Sequence, residues 1–270
     1  MKKNMTNKKE LKNQLDQVLR DKNLLTADST STMKAPASFV EINGEAWPVW
    51  RADCCINDSP VYISEGLTAK MAGVPAISTA CLCNPLCLAR MKNGEAICAH
   101  CFAAASLKQY RASLEHAVLN YKLLNSCVLP VDMLPVFGNV RFVRVEWSGD
   151  VGSEIQVENY ANIARKNNEI IFGWWSKNIR MIEKVFDRIG KPENVILIQS
   201  SLKVNEEEEP ASKYVDKVFT VYSKEYIKNS REFIVNGENV LINCGARSCV
   251  GCRKCYRKDG KHYYIREQLK

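Results

Sequence analysis

From Pro135 onward the chain alternates regularly between strand-like and helix-like segments, and this pattern limits its fold more than any other feature. The runs VRFVRVEW, EIIFGWW, NVILIQS and KVFTVYS are short, apolar and bounded by turn residues, as strands buried on both faces must be. Two helix-length segments lie among them, from about Glu154 to Lys166 and from about Asn178 to Ile189. In the second, Ile179, Ile182, Phe186 and Ile189 fall on one face. Strands that alternate with helices pair in parallel through right-handed crossovers. Adding AISTA upstream and VLIN downstream gives about six βα units. The expected fold class is therefore α/β, a partial (βα)6-type barrel with a Cys-rich loop and a C-terminal Cys-rich extension. In such sheets ligands gather at the C-terminal ends of the strands.

Three regions follow. Residues 1–37 carry Leu11, Leu15, Val18 and Leu19 at helical spacing and then the polar stretch ADSTSTMKAPAS, which reads as a helix and linker loosely attached to the rest. Residues 38–243 form the barrel, opening with short strands at PVW and VYIS. Residues 244–270 form the cluster-binding extension. Within the barrel, FAAASLKQYRASLEHAVLNYKLLN reads as one continuous helix. Its apolar face is Leu107, Tyr110, Leu114, Val118, Tyr121 and Leu124, with the tyrosines packed in the core. The acidic run Glu206–Glu209 before Pro210 reads as a solvated loop.

A chain of 270 residues with 46% apolar and 25% charged residues has the composition of a globular protein. No apolar run reaches the length of about 18 residues that a membrane helix needs, and the basic start MKKNMTNKKELKNQLDQ has no apolar core of a secretory signal. The expected location is cytoplasmic, where thiols stay reduced and clustered cysteines are ligands more often than disulfides. Seven of the 12 cysteines form two tight groups, Cys87, Cys98, Cys101 and Cys244, Cys249, Cys252, Cys255. Cys54, Cys55, Cys81, Cys83 and Cys127 are looser.

The C-terminal group has the spacing C-x4-C-x2-C-x2-C in INCGARSCVGCRKCY, with Gly245 and Gly251 allowing a tight backbone. Short spacers bring several thiolates to one centre, as zinc and iron–sulfur clusters both require. Structural zinc commonly uses two knuckles separated by a longer loop, so four cysteines within twelve residues favour an iron–sulfur cluster, with zinc as the alternative. In the upstream group Cys98 and Cys101 form a Cys-x2-Cys pair, and Asn93 and Gly94 favour the chain reversal that would bring Cys87 to it. Three ligands leave one coordination position open, the mark of a reactive centre. Cys83 is the reserve ligand that would close it.

Net charge is +8, and residues 244–270 hold eight Lys and Arg against two acids, a surplus of +6. This surplus either offsets the negative charge of a thiolate cluster or contacts nucleic acid. The three histidines form no catalytic arrangement, and neither a phosphate-binding nor a dinucleotide glycine motif is present, which argues against an NTPase or a nicotinamide dehydrogenase. His116 reads as a surface or packing residue, and Trp147, Trp174 and Trp175 as core aromatics or a stacking platform. Glu146 and Glu154 read as exposed loop carboxylates. No catalytic residue is identified.

NPLC, CAHCFA, a strand ending in Ser148-Gly149-Asp150 and the C-terminal cysteine run together resemble the gene-product-88-like proteins of bacteriophages and mobile elements. That resemblance implies a phage association and no particular reaction. More distantly, the order of strand, cysteine loop, helix, strand and S-G-D segment resembles the first half of a radical S-adenosylmethionine enzyme. It implies two 4Fe–4S clusters, a site-differentiated one on Cys87, Cys98 and Cys101 and an auxiliary one at the C-terminus. It further implies S-adenosylmethionine held by Ser148, Gly149, Asp150, Ser176 and Asn178, an electron donor and an unknown substrate. This chain departs from the usual C-x3-C-x2-C, because Arg90 stands where the third cysteine would be. The competing expectation is a non-catalytic metalloprotein that contacts nucleic acid or a host protein.

Overall fold

In the central strands both faces are apolar, so both must be covered. The computed structural model describes residues 2–230, 234–235, 238–239, 241–260 and 263–269. Its helix α1 (Lys2–Asp21) leads to a hairpin of β1 (Ser38–Ile42) and β2 (Glu45–Val49). The hairpin turns on Asn43 and Gly44, both at positive φ, as a tight two-residue connection demands. Strand β3 (Ala76–Ile77) then enters the main sheet, followed by α2 (Pro85–Lys92), α3 (Phe102–Gln109) and α4 (Arg111–Ser126). Next come β4 (Phe142–Val145), α5 (Glu154–Lys166), β5 (Ile171–Ser176), α6 (Ile179–Ile189), β6 (Val195–Ser200), β7 (Lys217–Tyr222) and α7 (Lys224–Asn229). A short hairpin of β8 (Ile234–Val235) and β9 (Glu238–Asn239) follows, then α8 (Cys249–Cys252) and β10 (Tyr264–Gln268).

The main sheet has six parallel strands in the order β3-β4-β5-β6-β7-β10. Each connection moves one place in the same direction, and right-handed crossovers of that kind put their helices on one face. Accordingly α4 packs on α5 and α5 on α6. Val143, Val145, Phe172, Trp174, Val195 and Leu197 point toward these helices and join the main core. The alternate residues Phe142, Trp175, Ile196 and Ile198 point the other way and form a second cluster with Tyr256 and Val74, against which Cys249 and Cys255 pack. The segment that carries the C-terminal cysteines is therefore the cover of the second face.

The boundaries of α5 follow from local chemistry. Ser153 caps its start by accepting from Gln156 N, and Glu154 lies in the first turn, where a negative charge is favourable. Helix α6 stops at Gly190, which takes φ +76 and closes the last turn onto Phe186 O.

Five expectations are corrected. The N-terminal helix is docked: Leu15 and Leu19 are fully buried in the main core, and Lys12 Nζ donates to Ser31 O and Met33 O. The long helix breaks at Tyr110, whose backbone is extended and whose ring is exposed. VYIS contributes only the isolated bridge of Ser64 to Ala76. The sixth strand is β10, after the cysteine run, whereas Val240 of VLIN lies outside the described residues and Leu241–Asn243 are not strand. Tyr264–Gln268 is short and charged because it is a sheet edge with one neighbour, so it lacks the apolar run by which a central strand is recognised. The acidic run is not simply solvated, since Glu207 pairs with Arg266 of β10 at 2.6 Å and Glu208 accepts from Gln199.

Candidate metal centres

The C-terminal group is built by three local devices. Cys244 is held beside the edge strand, its N–H donating to Arg266 O. Ser248 caps α8 by accepting from Gly251 N. Arg253 takes the left-handed conformation at φ 57, turning the chain so that Cys255 follows Cys249 and Cys252 onto the same side. All four thiols line a single cavity together with Lys70, Asn243, Lys254 and Tyr256. Tyr256 forms its floor, stacked on Phe142 with ring centroids 4.2 Å apart. It sits over Gly173, where a Cβ would come within 2.6 Å of the Tyr256 ring. Glycine is needed there for close approach, independent of φ.

Burial pushes the Cys244 and Cys249 thiols up and the Cys255 thiol up to about 12, so these three need a positive charge nearby to ionise. Two cations already face them. Lys70 Nζ donates to Cys244 Sγ at 3.4 Å and pairs with Glu267. Arg144 lies 3.9 Å over the Trp175 ring, and its charge acts on Cys249 and Cys255. The Arg144 Nε is buried with no hydrogen-bond partner, and among the described residues no carboxylate pairs with this guanidinium. Other basic residues of the segment are used within the chain: Arg253 Nε donates to Val250 O, Lys254 Nζ to Asn243 O, and Arg266 to Glu207.

The upstream group crosses the C-terminal ends of the strands. Asn84 caps α2, accepting from Leu86 N and donating to Asp150 O, with Pro85 in the first helical position. Asn93 makes the expected reversal, its side chain accepting from Glu95 N. Ile97 N reaches Leu202 O beyond β6, and Cys101 caps α3, its sulfur accepting from Ala104 N at 3.4 Å. Cys87 is buried beside Asp150 and Glu146, and Cys98 lies within the influence of Lys177, Arg90 and Cys101. None of the residues bordering the C-terminal group recurs among those described here.

The cysteine that joins this group is Cys81. It is 2% exposed and packs in one buried cluster with Cys87, against which Cys83 and Cys101 also lie. Cys101 is lowered to about 6, first by the Cys81 thiol and then by the amides of Ala104 and Ala103 at the start of α3. Cys83 faces Lys122. Cys54 and Cys55 lie together elsewhere, with sulfurs 3.9 Å apart. Among the described residues no three His, Cys, Asp or Glu side chains stand in an arrangement that closes on one metal ion.

Ser148, Gly149, Asp150, Ser176 and Asn178 do come together at the ends of β4 and β5, but they bond to one another and to the protein. Asp150 Oδ1 accepts from Ser176 Oγ and Val151 N, and Oδ2 from Arg90 Nη1 and Lys177 N, the latter two at 3.0 Å. Four donors fill the acceptor sites of a carboxylate. Ser148 Oγ donates to Thr79 O, and Asn178 N donates to Ser176 Oγ. The close approach that Gly149 permits is to Thr79, whose Oγ1 and O would lie 2.4 and 2.6 Å from a Cβ. The polar side chains of this group are thus hydrogen-bonded within the chain.

Glu146 is not an exposed loop carboxylate. It is 2% exposed, sits at φ 59, and accepts from Thr79 N, Thr79 Oγ1, Gln156 Nε2 and Tyr160 OH. Burial raises its pKa to about 7. Glu154 pairs with Lys184 at the surface. His116 stacks on Tyr62 at 3.5 Å, and burial lowers it to about 4, so it is a packing residue. Trp174 is in the core and Trp175 lies under Arg144.

Sequence reading missed Cys81, Lys70, Arg144 and Glu146. A charged residue at the inward parity of an otherwise apolar strand marks Arg144 and was available as a signal. Lys70 is 174 residues from Cys244, and nothing local links them. No described helix is long and apolar enough to cross a membrane. The model of a family described as Gene product 88 matches residues 59–263, which include both cysteine groups. No curated protein and no solved structure matches.

Proposed function

The chain belongs to the Gene product 88 family, and from that premise we propose that it is a phage-type iron–sulfur protein holding two clusters on one parallel sheet. The observation that carries this reading is Arg144, a guanidinium with a buried, unbonded Nε beside four thiols lining one cavity. A half-buried guanidinium with no carboxylate partner among the described residues favours negative charge beside it. A metal centre bound by four thiolates carries net negative charge and supplies that counter-charge. Cys244, Cys249, Cys252 and Cys255 would hold the cluster, with Lys70 and Arg144 as its charge partners.

The choice of cluster over zinc rests on spacing. Zinc at about 2.3 Å from each sulfur draws its ligands to about 3.8 Å from one another. The four cysteines line one cavity, and their C-x4-C-x2-C-x2-C spacing within twelve residues lacks the longer loop that separates the two knuckles of structural zinc. The upstream cysteines are proposed to hold the second cluster, at the strand ends where open α/β sheets bind ligands. Sequential strand order and one-sided helices support reading the sheet as a partial (βα)6-type barrel whose inner face is filled by the C-terminal segment. Twelve free cysteines fit a reducing, cytoplasmic setting. S-adenosylmethionine is left out of the proposal because the four donors on Asp150 leave it no free acceptor for an ammonium group.

Anaerobic purification tests the reading. A brown protein with about eight irons per chain and matching sulfide is expected. Colourless protein with stoichiometric zinc would overturn it.

A further inference from the structure

We propose that Cys54 and Cys55 are a site of reversible thiol–disulfide exchange, at which an incoming disulfide is reduced and the pair closes into a vicinal disulfide. The site lies outside both cysteine groups described above and does not depend on the iron–sulfur reading.

Adjacent residues of an extended chain point their side chains to opposite sides, so neighbouring cysteines do not ordinarily meet. Here a turn brings them together. Cys55 N donates to Ala52 O at 3.0 Å, and the Glu65 carboxylate accepts from Asp53 N at 3.1 Å and from Cys54 N at 2.6 Å. Cys54 O accepts from Gly138 N at 2.8 Å and Ile56 N donates to Val136 O at 2.9 Å, which docks the backbone on both sides of Cys55 against the segment before β4. The two sulfurs lie side by side, 3.9 Å apart. Both residues are half-buried and Ile56 beside them is 76% exposed, so the pair is within reach of a small disulfide.

Exchange takes two steps. One thiol, ionised, attacks a sulfur of the disulfide RSSR and expels RS−, leaving a mixed disulfide. The second sulfur, on losing its proton, attacks the bonded cysteine sulfur and expels the other RS−. The two RS− take up the two protons, so the pair loses two hydrogens and two electrons while RSSR is reduced to two RSH. Closure is easily reversed. Neighbouring Cα atoms are about 3.8 Å apart across a trans peptide, shorter than the roughly 4.4–6.8 Å that disulfides prefer, and the peptide that must twist is the one held by Gly138 and Ala52. A bond strained in this way returns readily to the dithiol, so the pair follows the disulfide content of its surroundings.

Trypsin cleavage after Arg51 and Lys70 releases residues 52–70, which carry Cys54 and Cys55 and no other cysteine, so mass spectrometry reads this site alone. The full chain is exposed to glutathione disulfide, quenched in acid, alkylated and digested. The peptide is expected to be unalkylated and two hydrogens lighter, and to gain two alkyl groups when the oxidised protein is first treated with dithiothreitol. A peptide that stays doubly alkylated, carries glutathione on both sulfurs, or is linked to another cysteine peptide would overturn the proposal. Cys54→Ser and Cys55→Ser test the route, because a mixed disulfide then has no second thiol to resolve it. At least one of the two is expected to accumulate a single glutathione on residues 52–70, and no adduct on either would overturn the exchange step. The wild-type measurement needs neither variant and decides the outcome if one of them does not fold.

Discussion

Arg144 and Glu146 stand two residues apart on β4 and its continuation, and each keeps a charge-bearing group inside the protein for a different reason. Arg144 points to the face covered by the C-terminal cysteines, Glu146 to the network of Thr79, Gln156 and Tyr160. A positive charge beside a cluster favours its reduced, more negative state. Arg144→Gln should therefore lower the reduction potential of the C-terminal cluster, by on the order of 50 mV, close to a tenfold change for a one-electron couple. A redox titration followed by EPR measures the shift, and an unchanged potential would remove Arg144 as the charge partner. Arg144→Lys should recover most of it.

For Glu146 the relevant observable is stability against pH. A carboxyl held at about 7 when folded, against 4.5 ordinarily, binds more protons in the folded state than in the unfolded one. Its stabilising contribution is complete below about 4.5 and is lost as pH rises through about 7, on the order of 3 kcal/mol in all. Glu146→Gln cannot titrate, so its deficit relative to wild type should shrink between those pH values. Urea unfolding of the two proteins at matched pH measures this, and a constant difference would show that the raised pKa is not a feature of the fold.

Among the elements, α1 and β10 depart most from what their residues suggest in isolation. Helix α1 begins in a Lys- and Asn-rich stretch with little apolar content, yet its one apolar stripe puts Leu15, Val18 and Leu19 into the main core. Leu19→Ala should cost about 2–5 kcal/mol, the range for a leucine removed from a packed interior. A loosely attached helix would show almost no change in urea midpoint. Helices α5 and α6 and strands β4 to β7 were legible because periodicity and capping residues report local conformation directly. The edge strand β10 was not, because it needs few apolar residues, and its place in the sheet depends on β7 and on the Arg266–Glu207 pair.

Across the whole molecule the two cysteine groups serve different parts of one sheet. The upstream group ties the C-terminal strand ends together, and the C-terminal group covers the face that the helices leave bare. Since they share none of the bordering residues described, loss of one should spare the other. The double variant Cys249→Ala/Cys252→Ala is expected to keep about four irons per chain and the spectrum of the upstream cluster. Loss of all iron would show that the two sites assemble as a unit.

Sequence alone determined the parallel α/β core, the extents of α5 and α6 and the two cysteine groups, because periodicity, capping and short ligand spacing act between neighbours along the chain. Tertiary structure decided which cysteines meet beyond β3, burying Cys81 and Cys87 in one cluster against which Cys83 and Cys101 pack. It also decided that Asp150 is saturated by Arg90, Ser176 and Lys177, and that the cysteine run lies inside the sheet order, before its last strand. These outcomes depend on groups that only folding brings within hydrogen-bond or Coulomb range, and no local pattern encodes their distance.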